Sequence, residues 1–139
     1  MFKVKQAAEL LNTSVSTLHY YEKRNLISPR RGENGYRYYS HEDILLMRLI
    51  LLMRHYHFSV DEIKLIIRNF TNDEDCEEAA TASHIFFSQK IAELQSIIQG
   101  YQDLITLIQS LPLMNDFVEF DDKKDKTVSL INQLYEKLN

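Results

Sequence analysis

From Glu77 to Leu111 the chain contains no proline and one glycine, Gly100. Within that stretch His84, Phe87, Ile91, Leu94, Ile98, Tyr101, Ile105 and Ile108 recur at alternating spacings of three and four. This is the a/d repeat of a coiled-coil seam, held over more than three heptads. A helix of roughly 35 residues would be ~50 Å long. A small domain rarely supports a helix of that length alone, and the residues that follow Pro112 are too few to cover the seam as the second arm of a hairpin. The pattern therefore predicts pairing with a second copy of the chain through Phe87, Ile91, Leu94, Ile98, Tyr101, Ile105 and Ile108. His84 at an a position reads as a polar residue that sets the register.

The residues before this helix read as a small head. Val4, Ala7, Ala8, Leu10 and Leu11 fall at helical spacing over residues 4–11. Asn12–Thr13 makes a turn, and Ser14 is a good N-cap for a second helix to about Arg24, with Val15 and Leu18 inward. Asn25 stands where that helix should stop, and asparagine tolerates the left-handed C-cap conformation. Two short helices joined by a tight turn form a helix-turn-helix. Leu26–Arg31 and Tyr36–Tyr39 then flank Gly32–Glu33–Asn34–Gly35, a polar loop bounded by glycines that reads as a hairpin, or wing. Ser40 with Asp43 opens a third helix to about His55, and Ser59 with Glu62 opens a fourth to about Phe70. The expected fold is mainly α. It has a winged helix-turn-helix over 1–70, a linker over 71–76, a dimerisation helix over 77–111 and a tail over 112–139. The tail holds an acidic, aromatic loop and a short helix with Val128, Ile131, Leu134 and Leu138 inward.

Charge is divided unevenly. Residues 1–68 carry 11 Lys/Arg against 7 Asp/Glu, a net of +4, and residues 69–139 carry 5 against 13, a net of −8. A basic front half behind an overall charge of −4 is the asymmetry expected when only one half meets phosphate. A hydrophobic content of 45% excludes global disorder. The longest apolar run, Ile44–Met53, is interrupted by Arg48 and ended by Arg54, so no membrane span is expected. Met1–Phe2–Lys3 has no signal-peptide pattern, which predicts a cytoplasmic protein. The single cysteine, Cys76, excludes an intrachain disulfide and a multi-thiolate metal site. Asp75 and Glu77 beside it are acidic neighbours of the kind that make a thiol less reactive, so an inert thiol is expected. His55, His57 and Cys76 fit no standard metal spacing. Asp116, Glu119, Asp121 and Asp122, with Phe117 and Phe120, read as a solvated acidic loop rather than a site for a cationic ligand. No nucleophile–base pair, phosphate loop or zinc motif is present, so neither catalysis nor a cofactor is expected.

The first half resembles the MerR family of bacterial transcription regulators. The matching residues are Thr17–Leu18–His19–Tyr20–Tyr21–Glu22, the wing Asn34–Gly35–Tyr36–Arg37–Tyr38–Tyr39, the helix start Ser40–Asp43, and Phe58–Ser59–Val60–Asp61–Glu62–Ile63. The resemblance implies a winged helix-turn-helix whose long helix pairs antiparallel with its twin. It also implies a homodimer that distorts double-stranded promoter DNA with an overlong spacer for RNA polymerase. The start of the second helix would then lie in the major groove and offer Ser14, Ser16, Thr17, His19 and Tyr20. Lys23 and Arg24 would reach phosphates, as would a hydroxyl of Tyr20 or Tyr21. Arg30, Arg31 and Arg37 would grip the backbone from the hairpin. Tyr36, Tyr38 and Tyr39 cannot all face DNA, because a strand alternates its faces, and Tyr39 is expected to pack on the domain. Arg54 matches a family position that carries a basic phosphate contact.

The chain departs from the family at His19, where arginine is usual, and at Asn25, where glycine is usual. The metal-sensing and iron–sulfur branches carry cysteines just after the dimer helix, whereas Leu111–Pro112–Leu113–Met114 has none. The main expectation is a dimeric regulator whose effector the sequence does not name. The rival is an architectural or excision accessory protein that uses the same winged domain without sensing anything.

Overall fold

The structure is a computed structural model and describes residues 1–71, 77–111 and 120–138. In chain order it contains β1 (Phe2–Lys3), α1 (Val4–Leu10), α2 (Val15–Lys23), β2 (Arg30–Arg31), β3 (Arg37–Tyr39), α3 (His41–His55), α4 (Val60–Thr71), α5 (Glu77–Ser110) and α6 (Phe120–Glu136). The fold is mainly α, as expected. The chain divides into two units, Met1–Ser83 and His84–Asn139.

In the first unit, side-chain caps satisfy amides that the first helical turn leaves orphaned. Ser14 Oγ accepts from the Thr17 amide at 3.1 Å at the start of α2. At α3 the Ser40 amide donates to Asp43 Oδ2 at 2.7 Å, and the Asp43 amide donates to Ser40 Oγ at 3.1 Å. Ser59 and Glu62 make the same reciprocal pair at α4. The turns that follow α1, α2 and α3 each place a non-glycine residue at positive φ: Asn12 at 48°, Asn25 at 59° and His57 at 65°. Asparagine is the side chain that tolerates this region best after glycine.

The sheet has the order β1-β3-β2, both pairings antiparallel. Phe2 and Lys3 pair with Tyr39 and Tyr38. This edge strand was not anticipated, because two residues carry no alternation to read. The first wing strand is also shorter than Leu26–Arg31. Leu26 and Ile27 turn into the core instead of pairing, and the strand begins only after Pro29, which has no amide to donate.

The core draws on α1 to α4 and on β3. Leu18, Tyr39, Met47, Ile50 and Ile63 are fully buried, with Ala7, Ala8, Tyr21, Leu26, Ile27, Ile44 and Phe58 around them. Tyr39 points inward and Tyr38 is half-buried, the alternation that a strand requires. The Tyr39 hydroxyl has no hydrogen-bond partner among the described residues. Burial raises its pKa above the ordinary 10.0, with the Glu22 carboxylate adding to the effect. The neutral phenol is therefore the form that the fold favours. That contribution is fully present below pH 10 and is lost as pH rises through the folded pKa. Tyr39→Phe removes a buried unsatisfied hydroxyl and should stabilise the head by about 1 kcal/mol. Urea denaturation at pH 8 would show the gain, and the gap to the wild type should widen above pH 10. A less stable variant would mean that the hydroxyl finds a partner in solution.

In the second unit, α6 lies against the C-terminal part of α5. Thr127, which is buried, donates from Oγ1 to the Ser110 carbonyl at 2.9 Å, and Lys137 Nζ pairs with Asp103 at 3.5 Å. Two expectations are corrected here. The tail helix is not short: it spans 17 residues. Val128, Ile131 and Leu138, expected inward, are not buried but stay exposed, while Leu134 is half-buried. Thr127 makes the buried polar contact with α5, and Ile131, Leu134 and Leu138 line an open groove with Leu104 and Leu107 of α5. The tail thus covers one end of α5, but the seam stays open. Ile91, Ile98, Tyr101, Ile105 and Ile108 are all more than half exposed, and Leu94 is 37% exposed. The expected linker and acidic loop fall largely on residues 72–76 and 112–119, outside the described residues, as does Cys76. Among the described residues no helix is long and apolar enough to cross a membrane.

Candidate nucleic-acid interface

Helix α2 has two faces. Leu18 and Tyr21 anchor one of them in the core. The other presents Ser16, His19, Tyr20 and Lys23, at i, i+3, i+4 and i+7, and all four are exposed. Tyr20 is held edge-on to the buried Tyr21 ring, with centroids 5.1 Å apart, so its position is tied to the core. Tyr21 itself is 6% exposed and belongs to the packing. Ser14 and Thr17 are committed to the cap: their hydroxyls lie 2.8 Å apart, and Ser14 Oγ also accepts the Thr17 amide.

The wing is closed by its own loop. The Gly32 amide donates to the Tyr36 carbonyl and the Gly35 amide to the Gly32 carbonyl, both at 2.9 Å. Gly35 sits at φ 75°, which favours glycine. A Cβ on Gly32 would lie 2.8 Å from a ring carbon of Tyr38, so the loop needs glycine there for close approach. Asn34 Oδ1 accepts from the Tyr36 amide at 3.1 Å, and Asn34 Nδ2 reaches the Tyr38 hydroxyl at 3.4 Å. This leaves Tyr36 exposed at the tip. Register sets Arg31 opposite Arg37 and Arg30 opposite Tyr38.

Helix and wing are joined by Glu22, which sequence reasoning did not assign. Its Oε1 accepts from Arg31 Nη2 at 3.1 Å and its Oε2 from Arg37 Nε. The hydrogen bond to Glu22 raises the Arg37 pKa above its ordinary value and so favours the charged guanidinium. Arg54, expected at phosphate, donates from Nη1 to the Phe58 carbonyl at 2.9 Å and so braces the α3–α4 turn. Lys23, Arg24 and Arg30 are exposed and form no ion pair with any other described residue. Around α2 and the wing, the described residues therefore include the uncommitted cations Lys23, Arg24 and Arg30 and two arginines that share one carboxylate. Among the described residues no three His, Cys, Asp or Glu side chains come together to hold a metal.

The sequence pattern of the MerR HTH family regulatory protein matches residues 2–69. The chain is 31% identical over 108 residues to the HTH-type transcriptional regulator CueR of Vibrio cholerae, covering 73% of this chain and 77% of that protein. It is 46% identical over 55 residues to the HTH-type transcriptional regulator SkgA of Caulobacter vibrioides, and spans only 22% of that protein's length. A MerR family regulator from Listeria monocytogenes shares the fold, with a TM-score of 0.64 over 100% of both chains at 19% identity. On this match along most of its own length and most of a curated relative's, the chain belongs to the MerR family of helix-turn-helix regulatory proteins.

Proposed function

We propose that the protein is a homodimeric transcription regulator that binds double-stranded promoter DNA through its head, acts in the cytoplasm on promoters used by RNA polymerase, and bends or untwists the duplex. The observation that carries this reading is the exposed α2 stripe Ser16–His19–Tyr20–Lys23 flanked by the uncommitted cations Arg24 and Arg30. A stripe with hydroxyl, imidazole and phenol groups offers donors and acceptors to base edges, and the cations offer phosphate contacts that set orientation. The open seam of α5 supports pairing, because an apolar stripe of that length is left without a cover in one chain. The family relation supports DNA distortion.

The test is binding to duplexes selected from a random pool by the protein itself. Affinity should fall steeply with salt. Lys23→Ala and Arg30→Ala should each weaken binding to selected and random duplexes alike and reduce the salt slope by about 1. His19→Ala should instead relax preference at one position, at a cost of about 1–3 kcal/mol. Circularly permuted fragments should migrate according to where the site lies if the duplex is bent. Salt-insensitive binding, or none, would remove the proposal.

A further inference from the structure

We propose that Glu22 is the specificity-determining residue of the wing: it fixes Arg31 and Arg37 in one orientation against α2 and withholds them from indiscriminate attraction to phosphate. The inference rests on the DNA-binding reading above and assigns a division of labour within it.

The two arginines face each other directly across β2 and β3. Like charges at opposed strand positions repel. Glu22 reverses this by giving one carboxylate oxygen to each. The cluster is partly shielded from water: side-chain exposure is 20% for Glu22, 29% for Arg37 and 54% for Arg31. It joins a residue of α2 to partners nine and fifteen positions away, so it fixes the wing to the helix and not merely to itself.

Two consequences follow from the chemistry. A guanidinium has five N–H donors in a planar fork, and Arg37 commits only its Nε–H to Glu22. Its two terminal nitrogens remain for a phosphate, at an angle set by the carboxylate. The cluster as a whole carries one net positive charge where two free arginines would carry two. A duplex whose backbone reaches the outer edges of both guanidiniums gains directed contacts. A duplex that does not reach them meets a weaker field than the arginine count suggests. Lys23, Arg24 and Arg30, free of such partners, supply attraction that any duplex can use.

The experiment compares affinity for a duplex selected by the wild type with affinity for random-sequence duplex, across a salt series. Glu22→Gln keeps size and removes the charge. Random-duplex affinity should rise several-fold at low salt and its slope should steepen by about 1. The selected-to-random ratio should fall by about tenfold or more. In an Arg31→Gln/Arg37→Gln background the same change should leave the ratio untouched, because Glu22 acts only through those two side chains. Glu22→Asp keeps the charge but draws the carboxylate back, so the ratio should fall while random affinity stays level. It decides the matter even if Glu22→Gln fails to fold. An equal rise on both duplexes in Glu22→Gln, or a wild-type ratio in Glu22→Asp, would overturn the proposal. A wild type that cannot tell selected from random duplex would instead sink the function reading itself.

Discussion

Ile98→Asp should turn the protein into a monomer. Ile98 is 56% exposed in the single chain and sits mid-seam between Leu94 and Tyr101. Pairing would bury it, and a symmetric pair would bury the new carboxylate twice. An uncompensated buried charge costs about 3–5 kcal/mol, and every 1.4 kcal/mol is about tenfold in an equilibrium constant. Dimer dissociation should therefore rise by at least two to three orders of magnitude on these figures. The head should stay folded, since its core lies wholly within Met1–Ser83. Binding to a selected site should nevertheless collapse, because each head would engage its half of the site without the other. Sedimentation equilibrium gives the oligomeric state, and a mobility shift gives the binding. Leu94→Asp should behave alike. Intact dimers for both variants would mean that the copies meet through another face, such as Val128, Ile131, Tyr135 and Leu138 of α6, all exposed.

Leu18→Ala should cost the head about 2–5 kcal/mol, the usual range for emptying a fully buried leucine site. In a unit of this size each kcal/mol moves the midpoint by roughly 4–8 °C, so a fall of more than about 10 °C is expected in a thermal melt. The effect on DNA should exceed what instability alone predicts. Leu18 and Tyr21 are the two buried residues of α2, and the opposite face of that helix carries His19, Tyr20 and Lys23. A cavity beneath α2 loosens the platform on which those side chains stand. Specific affinity should therefore drop even at temperatures where the variant is fully folded. A Tm within 2–3 °C of the wild type, beneath the usual range for such a cavity, would mean that neighbours collapse into the space.

The helical frame was legible because its signals are local. Ser14, Ser40–Asp43 and Ser59–Glu62 announce helix starts within four residues, and Asn25 announces a stop. The loop Gly32–Gly35 announces the hairpin, and strand alternation placed Tyr39 inside. The rest depends on partners distant in sequence. Nothing near Glu22 says that its oxygens meet arginines nine and fifteen residues on. Arg54 reads as a free cation until the chain turns back and brings the Phe58 carbonyl to it. On α6, apolar spacing does not announce that Thr127 is the buried residue, donating to the Ser110 carbonyl at the end of α5, while Ile131 and Leu138 line a groove that stays open.

Gly100 gives α5 a mechanical property. It lies within a 34-residue helix, and a Cβ built on it would meet nothing within 4 Å in this chain. No packing inside the chain calls for glycine there, yet glycine costs a helix about 1 kcal/mol relative to alanine. The helix should open most readily at that turn. That turn is expected to be the most compliant in the helix interior, and amide exchange should be fastest there among the interior turns. In a pair of copies that point occurs twice, once per helix. A load applied at one end of such an assembly would be taken up there first, as curvature, before any seam contact has to break.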